Sequence, residues 1–380
     1  MKEEIRVVHT CPLGTGGITS MVLNICEHLD RSKINFDYLT YRNQHEYNED
    51  RALALGGKKL VADNSSARNS ISRIFLKFYN VYRILKKSET DIFHINASSP
   101  YDTLAGIAAK IAGVNKVIVH SHNANSSNLS KFWILVNKFI KFVMPLYTDA
   151  YMTCSTEAAK YMFPKRIFKN RNYIYVRNGI ETEKFRYNEK IRAKIRQQIG
   201  CENAFIVGTV GRLSKQKNQM FLLEVFGDVV KKKKNSILLL IGIGDLKEKL
   251  IAKADELGIR EKVIFFGSAS NVNELMQAMD VFVMTSLHEG LPVVGIEAQA
   301  AGLPCVLSDV ITRETAILDT VSFINLKQDI HIWSDVIISY SKKNYERKEG
   351  TEKIIEAGFD IQSVANDLYF NYLEILNNKQ

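Results

Sequence analysis

The chain has 380 residues, 46% of them apolar, and a formal net charge of +10. Its length exceeds one typical domain and suits two, and its apolar content is enough for packed cores with no low-complexity run. No apolar stretch reaches the roughly 18 residues of a membrane-crossing helix, so none is expected.

Strand and helix patterns alternate throughout, which points to α/β layers on parallel sheets. Residues 5–9 read as a short apolar strand, 11–17 as a glycine-rich loop, and 18–29 as a helix with Ile18, Val22, Ile25 and Leu29 at helical spacing. Further strands are expected at 36–40, 92–96, 117–120, 150–154 and 173–176. The last ends in Asn178-Gly179, a turn signal that marks the domain boundary. The second half restarts the same grammar. A strand at 205–210 leads through Gly211-Arg212-Leu213-Ser214-Lys215-Gln216-Lys217-Asn218 into a helix from 219 to about 232. Strands at 236–241, 263–267, 281–284 and 305–308 follow, and a helix runs from about 361 to 376. The 236–241 run has the make-up of a strand buried on both faces.

Five scattered cysteines (Cys11, Cys26, Cys154, Cys201, Cys305) form no Cys-x-x-Cys pair. That suggests reduced thiols in a cytoplasmic protein and no zinc site. Met1-Lys2-Glu3-Glu4 runs straight into a strand, so no signal peptide is expected. The charge is lopsided. Residues 1–178 hold 25 Lys+Arg against 14 Asp+Glu, and residues 179–380 hold 26 against 27. A basic N-terminal half implies an anionic partner, nucleic acid or an anionic membrane. Two stretches there set bases among aromatics. Segment 68–87 carries Arg68, Arg73, Lys77, Arg83, Lys86 and Lys87; segment 131–147 carries Lys131, Lys138 and Lys141. Both read either as basic amphipathic helices on a membrane or as helices turning apolar faces inward with lysines outside. The membrane is the expected partner, and nucleic acid is not.

The most informative segment is Thr285-Ser286-Leu287-His288-Glu289-Gly290-Leu291-Pro292-Val293-Val294-Gly295-Ile296-Glu297. A strand enters a Gly-Leu-Pro turn and a helix leaves it at about Val293. Glu289 then sits in a loop at the carboxyl end of a strand, where open α/β sheets bind ligands. The amides of Gly290, Leu291 and Val293 lie near the helix start, where free N–H groups favour an anion. Amides for phosphate and carboxylates for hydroxyls suit a sugar nucleotide. Arg212 and Lys217, in another strand-to-helix loop, are two cations that can neutralise a diphosphate. Gly14-Thr15-Gly16-Gly17 is an incomplete dinucleotide fingerprint. At 120–123, His-Ser-His-Asn ends a strand; alternation puts His120 and His122 on one side.

The Glu-x7-Glu spacing of Glu289 and Glu297 and the Gly-Arg-Leu-x-x-x-Lys run at 211–217 resemble retaining glycosyltransferases of family 4. The resemblance covers nearly the whole chain. It implies the GT-B fold, two Rossmann-like domains facing a central cleft. Residues 1–178 would be the acceptor domain and 179–361 the nucleotide-sugar domain, with a crossover helix at about 362–380 returning to the first. Arg212 and Lys217 would clamp the diphosphate, and Gly16 and Gly17 would let backbone approach it. Glu297 would hold the ribose, Glu289 would lie beside the transferred sugar, and His122 would contact that sugar, typically at its 6-hydroxyl. No Asp-x-Asp occurs, which fits a metal-independent enzyme with no cofactor beyond its donor, a nucleoside-diphosphate sugar, most naturally UDP. Gly17-Ile18-Thr19-Ser20-Met21-Val22, His120-Ser121-His122-Asn123 and the run from Glu297 to Cys305 resemble the bacterial exopolysaccharide and capsule subgroup. An acceptor carried on a polyprenyl diphosphate, or a saccharide, would follow, with the enzyme cytoplasmic and peripheral at the inner membrane face. A sugar-nucleotide epimerase or a phosphorylase on the same fold, a nicotinamide oxidoreductase and a silent binding protein are the other readings.

Overall fold

The computed structural model describes residues 4–63, 65, 70–122, 130–341 and 347–378; Arg68 and Asn123 lie outside them. The chain divides into two compact units, residues 1–179 with 361–380, and residues 180–360. In the first, strands β1 (Ile5–Thr10), β2 (Ile34–Thr40), β3 (Lys59–Val61), β4 (Ile92–Ala97), β5 (Lys116–Ser121), β6 (Ala150–Thr153) and β7 (Ile174–Tyr175) form one sheet in the order β3-β2-β1-β4-β5-β6-β7. In the second, β8 (Phe205–Val210), β9 (Ser236–Ile241), β10 (Val263–Gly267), β11 (Val281–Met284), β12 (Cys305–Ser308) and β13 (Val321–Ile324) take the order β10-β9-β8-β11-β12-β13. Every pairing is parallel.

Parallel neighbours need crossovers, and the helical crossovers cover both faces of each sheet. This is why the central strands are apolar on both sides. Val7, Val8, Phe93, Ile118, Val207, Leu239 and Val283 are all fully buried, and apolar clusters lie on the two faces of each sheet. Strand order reverses between β1 and β4 and again between β8 and β11. Loops leaving such a pair diverge, which opens a crevice at the carboxyl ends of the strands.

The terminal helix Ile361–Asn377 belongs to the first unit. Its Ile361, Val364, Leu368, Tyr372 and Ile375 join Val22, Ile25 and Cys26 of the first helix, Gly17–Glu27, in one cluster. Strands β3 and β13 went unforeseen because both are short sheet edges, mostly half-buried, and carry a weak apolar signal. All five cysteines are free and buried.

The helix Lys131–Val143 turns its apolar side outward. Only Ile140 is fully buried, while Phe132, Leu135, Phe139, Phe142 and, just beyond, Leu146 are 65–83% exposed along one stripe. Lys131 and Lys138 are exposed beside it; Lys141 is half-buried, its ammonium over the Tyr161 ring at 5.6 Å. The helix Ser70–Lys87 behaves differently. Val81 and Leu85 face the core, and Lys77 is spent on the rings of Tyr41 and Tyr101 at 4.1 and 5.4 Å. Phe75 and Tyr79 remain exposed. Lys77 and Lys141 are therefore not the free surface cations that their spacing suggested, because each covers an aromatic face. No helix among the described residues is long and apolar enough to cross a membrane.

Candidate functional site

In the second unit the two loops at the strand-order reversal are stapled together. Leu287 N donates to the Gln216 carbonyl (2.8 Å), Gln216 Nε2 to the His288 carbonyl (3.0 Å), and Thr285 Oγ1 to the Asn218 carbonyl (3.0 Å). Lys217 Nζ then donates to Glu289 Oε1 at 2.6 Å, with side-chain exposures of 21% and 10%. A basic motif and an acidic motif 72 residues apart thus form one site. Sequence reasoning gave Lys217 to the diphosphate alone. Its charge is shared with Glu289, because two half-buried opposite charges at one loop junction pair.

Arg212 is exposed, with no carboxylate against it among the described residues. Its carbonyl accepts from Gln219 Nε2 at 2.9 Å, which holds the loop to the following helix, Gln219–Lys232. Behind Arg212 the loop lies against Gly242-Ile243-Gly244, with Leu213 N donating to the Ile243 carbonyl. A Cβ on Gly242 would stand 2.1 Å from the Gly211 carbonyl oxygen, and its φ of 138° is open only to glycine.

The helix Val293–Ala300 begins after Pro292. The amides of Gly290, Leu291 and Val293 make no backbone hydrogen bond among the described residues. Gly290 and Leu291 follow Glu289, the partner of Lys217, and amides without a backbone bond at a helix start are suited to phosphate oxygens; Arg212 lies on the same loop as Lys217. Glu297 lies one turn in. It is half-buried without a hydrogen-bond donor among the described residues, and this desolvation pushes its carboxyl up to about 7. A carboxylate in that condition is a natural acceptor for a vicinal diol.

In the first unit, Gly16 caps the first helix and Gly17 begins it, both exposed. A Cβ added to either would meet nothing within 4 Å, so the protein's own packing does not demand glycine there. His122 follows β5; its amide donates to the Ala97 carbonyl and its Nε2 lies 2.9 Å from Asn96 Oδ1. His120 is buried, its Nδ1 3.1 Å from His94 Nε2. Strand alternation put His120 on the same side as His122, and the sequence reading missed His9, His94, Asn96 and Tyr372, which complete a buried polar cluster. The available signal was a polar residue inside otherwise apolar strands: His9 in β1, then His94 and Asn96 in β4. Burial holds all four histidines neutral, with His9 and His122 brought down to about 3.

The glycosyltransferase family 4 model matches residues 15–184 and the glycosyl transferases group 1 model residues 191–358. EpsF of Bacillus subtilis, named as a glycosyltransferase, is 30% identical over 366 residues, 94% of this chain and 93% of its own length. An Escherichia coli UDP-Gal:alpha-D-GlcNAc-diphosphoundecaprenol alpha-1,3-galactosyltransferase is 26% identical over 79% of each chain. Among solved structures, Anabaena Alr3699/HepE in complex with UDP superposes with a TM-score of 0.77 at 16% identity, covering 98% of this chain and 100% of that one. That likeness shows the GT-B fold.

Proposed function

Since this chain belongs to the family 4 glycosyltransferases, we propose that it moves a hexose or N-acetylhexosamine from UDP to a lipid-diphosphate-linked or saccharide acceptor, in exopolysaccharide or capsule assembly. The observation that carries the donor reading is the stapled loop pair of the second unit. It brings Lys217 against Glu289, which is followed by the amides of Gly290, Leu291 and Val293, without a backbone bond among the described residues, and Arg212 is on the same loop as Lys217. The UDP of the HepE complex and the UDP-galactose and diphosphoundecaprenol in the name of the E. coli relative support the choice of nucleotide and acceptor class.

The chemistry is transfer with retention. The acceptor oxygen bonds to the anomeric carbon on the face from which the diphosphate leaves. The anomeric C–O bond to phosphate breaks, and the departing phosphate takes the acceptor's proton. Charge builds on that phosphate, and Arg212, Lys217 and the helix-start amides stabilise it without a metal. Glu297 holds the ribose hydroxyls; Glu289 and His122 bind the moving sugar; Gly16 and Gly17 admit it to the backbone. The exposed apolar stripe of the helix Lys131–Val143, flanked by Lys131 and Lys138, docks on an anionic bilayer and brings the enzyme to a lipid-borne acceptor.

The test is a panel of UDP-, GDP- and ADP-sugars screened by thermal shift, followed by transfer to a polyprenyl-diphosphate-linked sugar in excess EDTA. A UDP-sugar should raise the melting midpoint and be consumed with the anomeric configuration kept. Isomerised UDP-sugar without acceptor, or turnover that returns only with Mn²⁺, would replace this reading.

A further inference from the structure

The polar cluster of the first unit has one self-consistent arrangement of protons, and it ends at His122. The starting point is Asn96. Its Nδ2 lies 3.2 Å from the backbone carbonyl of Thr10. A carbonyl only accepts, so the Asn96 atom facing it is the amide nitrogen and not the oxygen. The Asn96 backbone N–H donates to Thr10 Oγ1 at 2.9 Å, which fixes the residue on β4 against the end of β1.

Two chains of consequence follow. The second N–H of Asn96 points at His9 Nδ1, 3.2 Å away, so that nitrogen accepts and His9 carries its proton on Nε2. His9 Nε2 donates to Tyr372 Oη at 3.4 Å, which leaves the tyrosine proton for His94 Nδ1 at 2.7 Å. His94 then carries its proton on Nε2 and donates to His120 Nδ1 at 3.1 Å. His120 Nε2–H is left buried without a partner. On the other side, Asn96 Oδ1 accepts from His122 Nε2 at 2.9 Å. His122 therefore carries its proton on Nε2, and its Nδ1 is a bare lone pair.

We propose that Asn96 is a positioning residue that holds His122 as the Nε2–H tautomer, so that Nδ1 is presented as a hydrogen-bond acceptor to a hydroxyl of the donor sugar. The proposal rests on the assignment of His122 to the donor sugar and adds the direction of the bond. Packing supports it. The His120 ring lies 4.1 Å from that of His122, and the His9 ring is stacked on that of His94 at 4.5 Å, so none of the rings turns freely. Among the described residues, the groups in contact with His122 are neutral: His120, the Asn96 amide, and the Cys154 thiol near its carbonyl. A protonated imidazole here would be opposed by burial and by its histidine neighbours. The terminal helix enters the same network through Tyr372, so the last segment of the chain helps to set proton positions at the end of β4 and β5.

The test uses the full chain labelled with ¹⁵N-histidine, and reads tautomers from two-bond ¹H–¹⁵N correlations at neutral pH. His122, identified by loss of its signals in His122→Ala, should show the Nε2–H pattern. Asn96→Leu should abolish the single tautomer and lower kcat roughly tenfold, the size of one lost hydrogen bond to the reacting sugar. The assay donor is whichever UDP-hexose the wild type turns over; UDP affinity, set by the second unit, should stay within about twofold. Asn96→Asp keeps an acceptor for His122 but adds a charge beside it. That variant should retain Nε2–H, let His122 protonate, and lose kcat at saturating donor as pH falls, whereas the wild-type kcat at saturating donor should hold between about pH 6 and 8. Tyr372→Phe should change His94 and His120 and leave the His122 pattern intact. A wild-type His122 protonated on Nδ1, or an Asn96→Leu variant that folds with the His122 spectrum unchanged, overturns the proposal. Absence of UDP-sugar binding would instead remove the assignment of His122 to a sugar, with the tautomer still decided by the spectrum.

Discussion

Replacing Glu289 by Gln separates its two effects on the donor. The Lys217–Glu289 contact spans 2.6 Å between side chains 21% and 10% exposed. Two unit charges about 4 Å apart at an effective dielectric near 20 attract by about 4 kcal/mol, and desolvation cancels much of that. A net coupling of about 1–2 kcal/mol remains for a half-buried pair, between the exposed and the buried limits. On the proposed donor role, Glu289 thus takes part of the charge that the diphosphate needs, and it repels the phosphate as well. Glu289→Gln should bind UDP about tenfold more tightly, the equivalent of about 1.4 kcal/mol. Sugar transfer should nonetheless fall about 10²-fold, because a charged acceptor beside the sugar is lost. Lys217→Ala should weaken UDP, and adding Glu289→Gln to it should recover less than the single change gains, the mark of a direct coupling. Calorimetric titration of the four proteins with UDP measures this cycle. An unchanged or weaker UDP affinity in Glu289→Gln would refute the idea that the pair competes with the diphosphate.

Arg212 is exposed, with no carboxylate against it among the described residues, so Arg212→Ala should fold normally and lose roughly 3–5 kcal/mol of transition-state stabilisation in kcat/KM; wild-type turnover would take Arg212 out of the site. Burial pushes the Glu297 carboxyl up to about 7, and in the proposed contact the ribose hydroxyls need it ionised. Affinity for UDP-glucose, whose phosphates do not titrate in this range, should be full above that pH and fall up to about tenfold per unit below it, and Glu297→Gln should flatten the profile. The same raised value means that Glu297 favours the folded chain below the ordinary glutamate range and that this contribution is lost as pH rises through about 7; thermal melts across pH should show the slope vanish in Glu297→Gln. Wild-type protein should sediment with anionic vesicles at low salt. Phe139→Ser with Phe142→Ser, or Lys131→Glu with Lys138→Glu, should release it without changing UDP affinity, since each inserted Phe adds about 1.5–3 kcal/mol and each surface Lys about 1 kcal/mol.

Local pattern was enough for much of this protein. Runs such as 205–210 and 236–241 are apolar because a parallel strand is covered on both faces, so strand, loop and helix could be read in order. The loop placement of the charged motifs was legible for a related reason. Arg212 with Lys217, and Glu289 with Glu297, each lie within one loop-to-helix segment, where a few residues of spacing decide which groups share a face. Edge strands β3 and β13 escaped because a half-covered edge has no such demand. The direction in which the helix Lys131–Val143 faces was beyond the sequence. An amphipathic stripe is equally apolar whether it meets a core or water, and only the surrounding elements decide which. The contact of Lys217 with Glu289, and the meeting of His9, Asn96, His120, His122 and Tyr372, depend on strand order. Parallel crossovers bring the ends of β1, β4 and β5 side by side, and the terminal helix adds Tyr372, 363 residues along the chain from His9. Each residue taken alone reads as an ordinary polar interruption; the direction of its proton exists only once all its partners are in place.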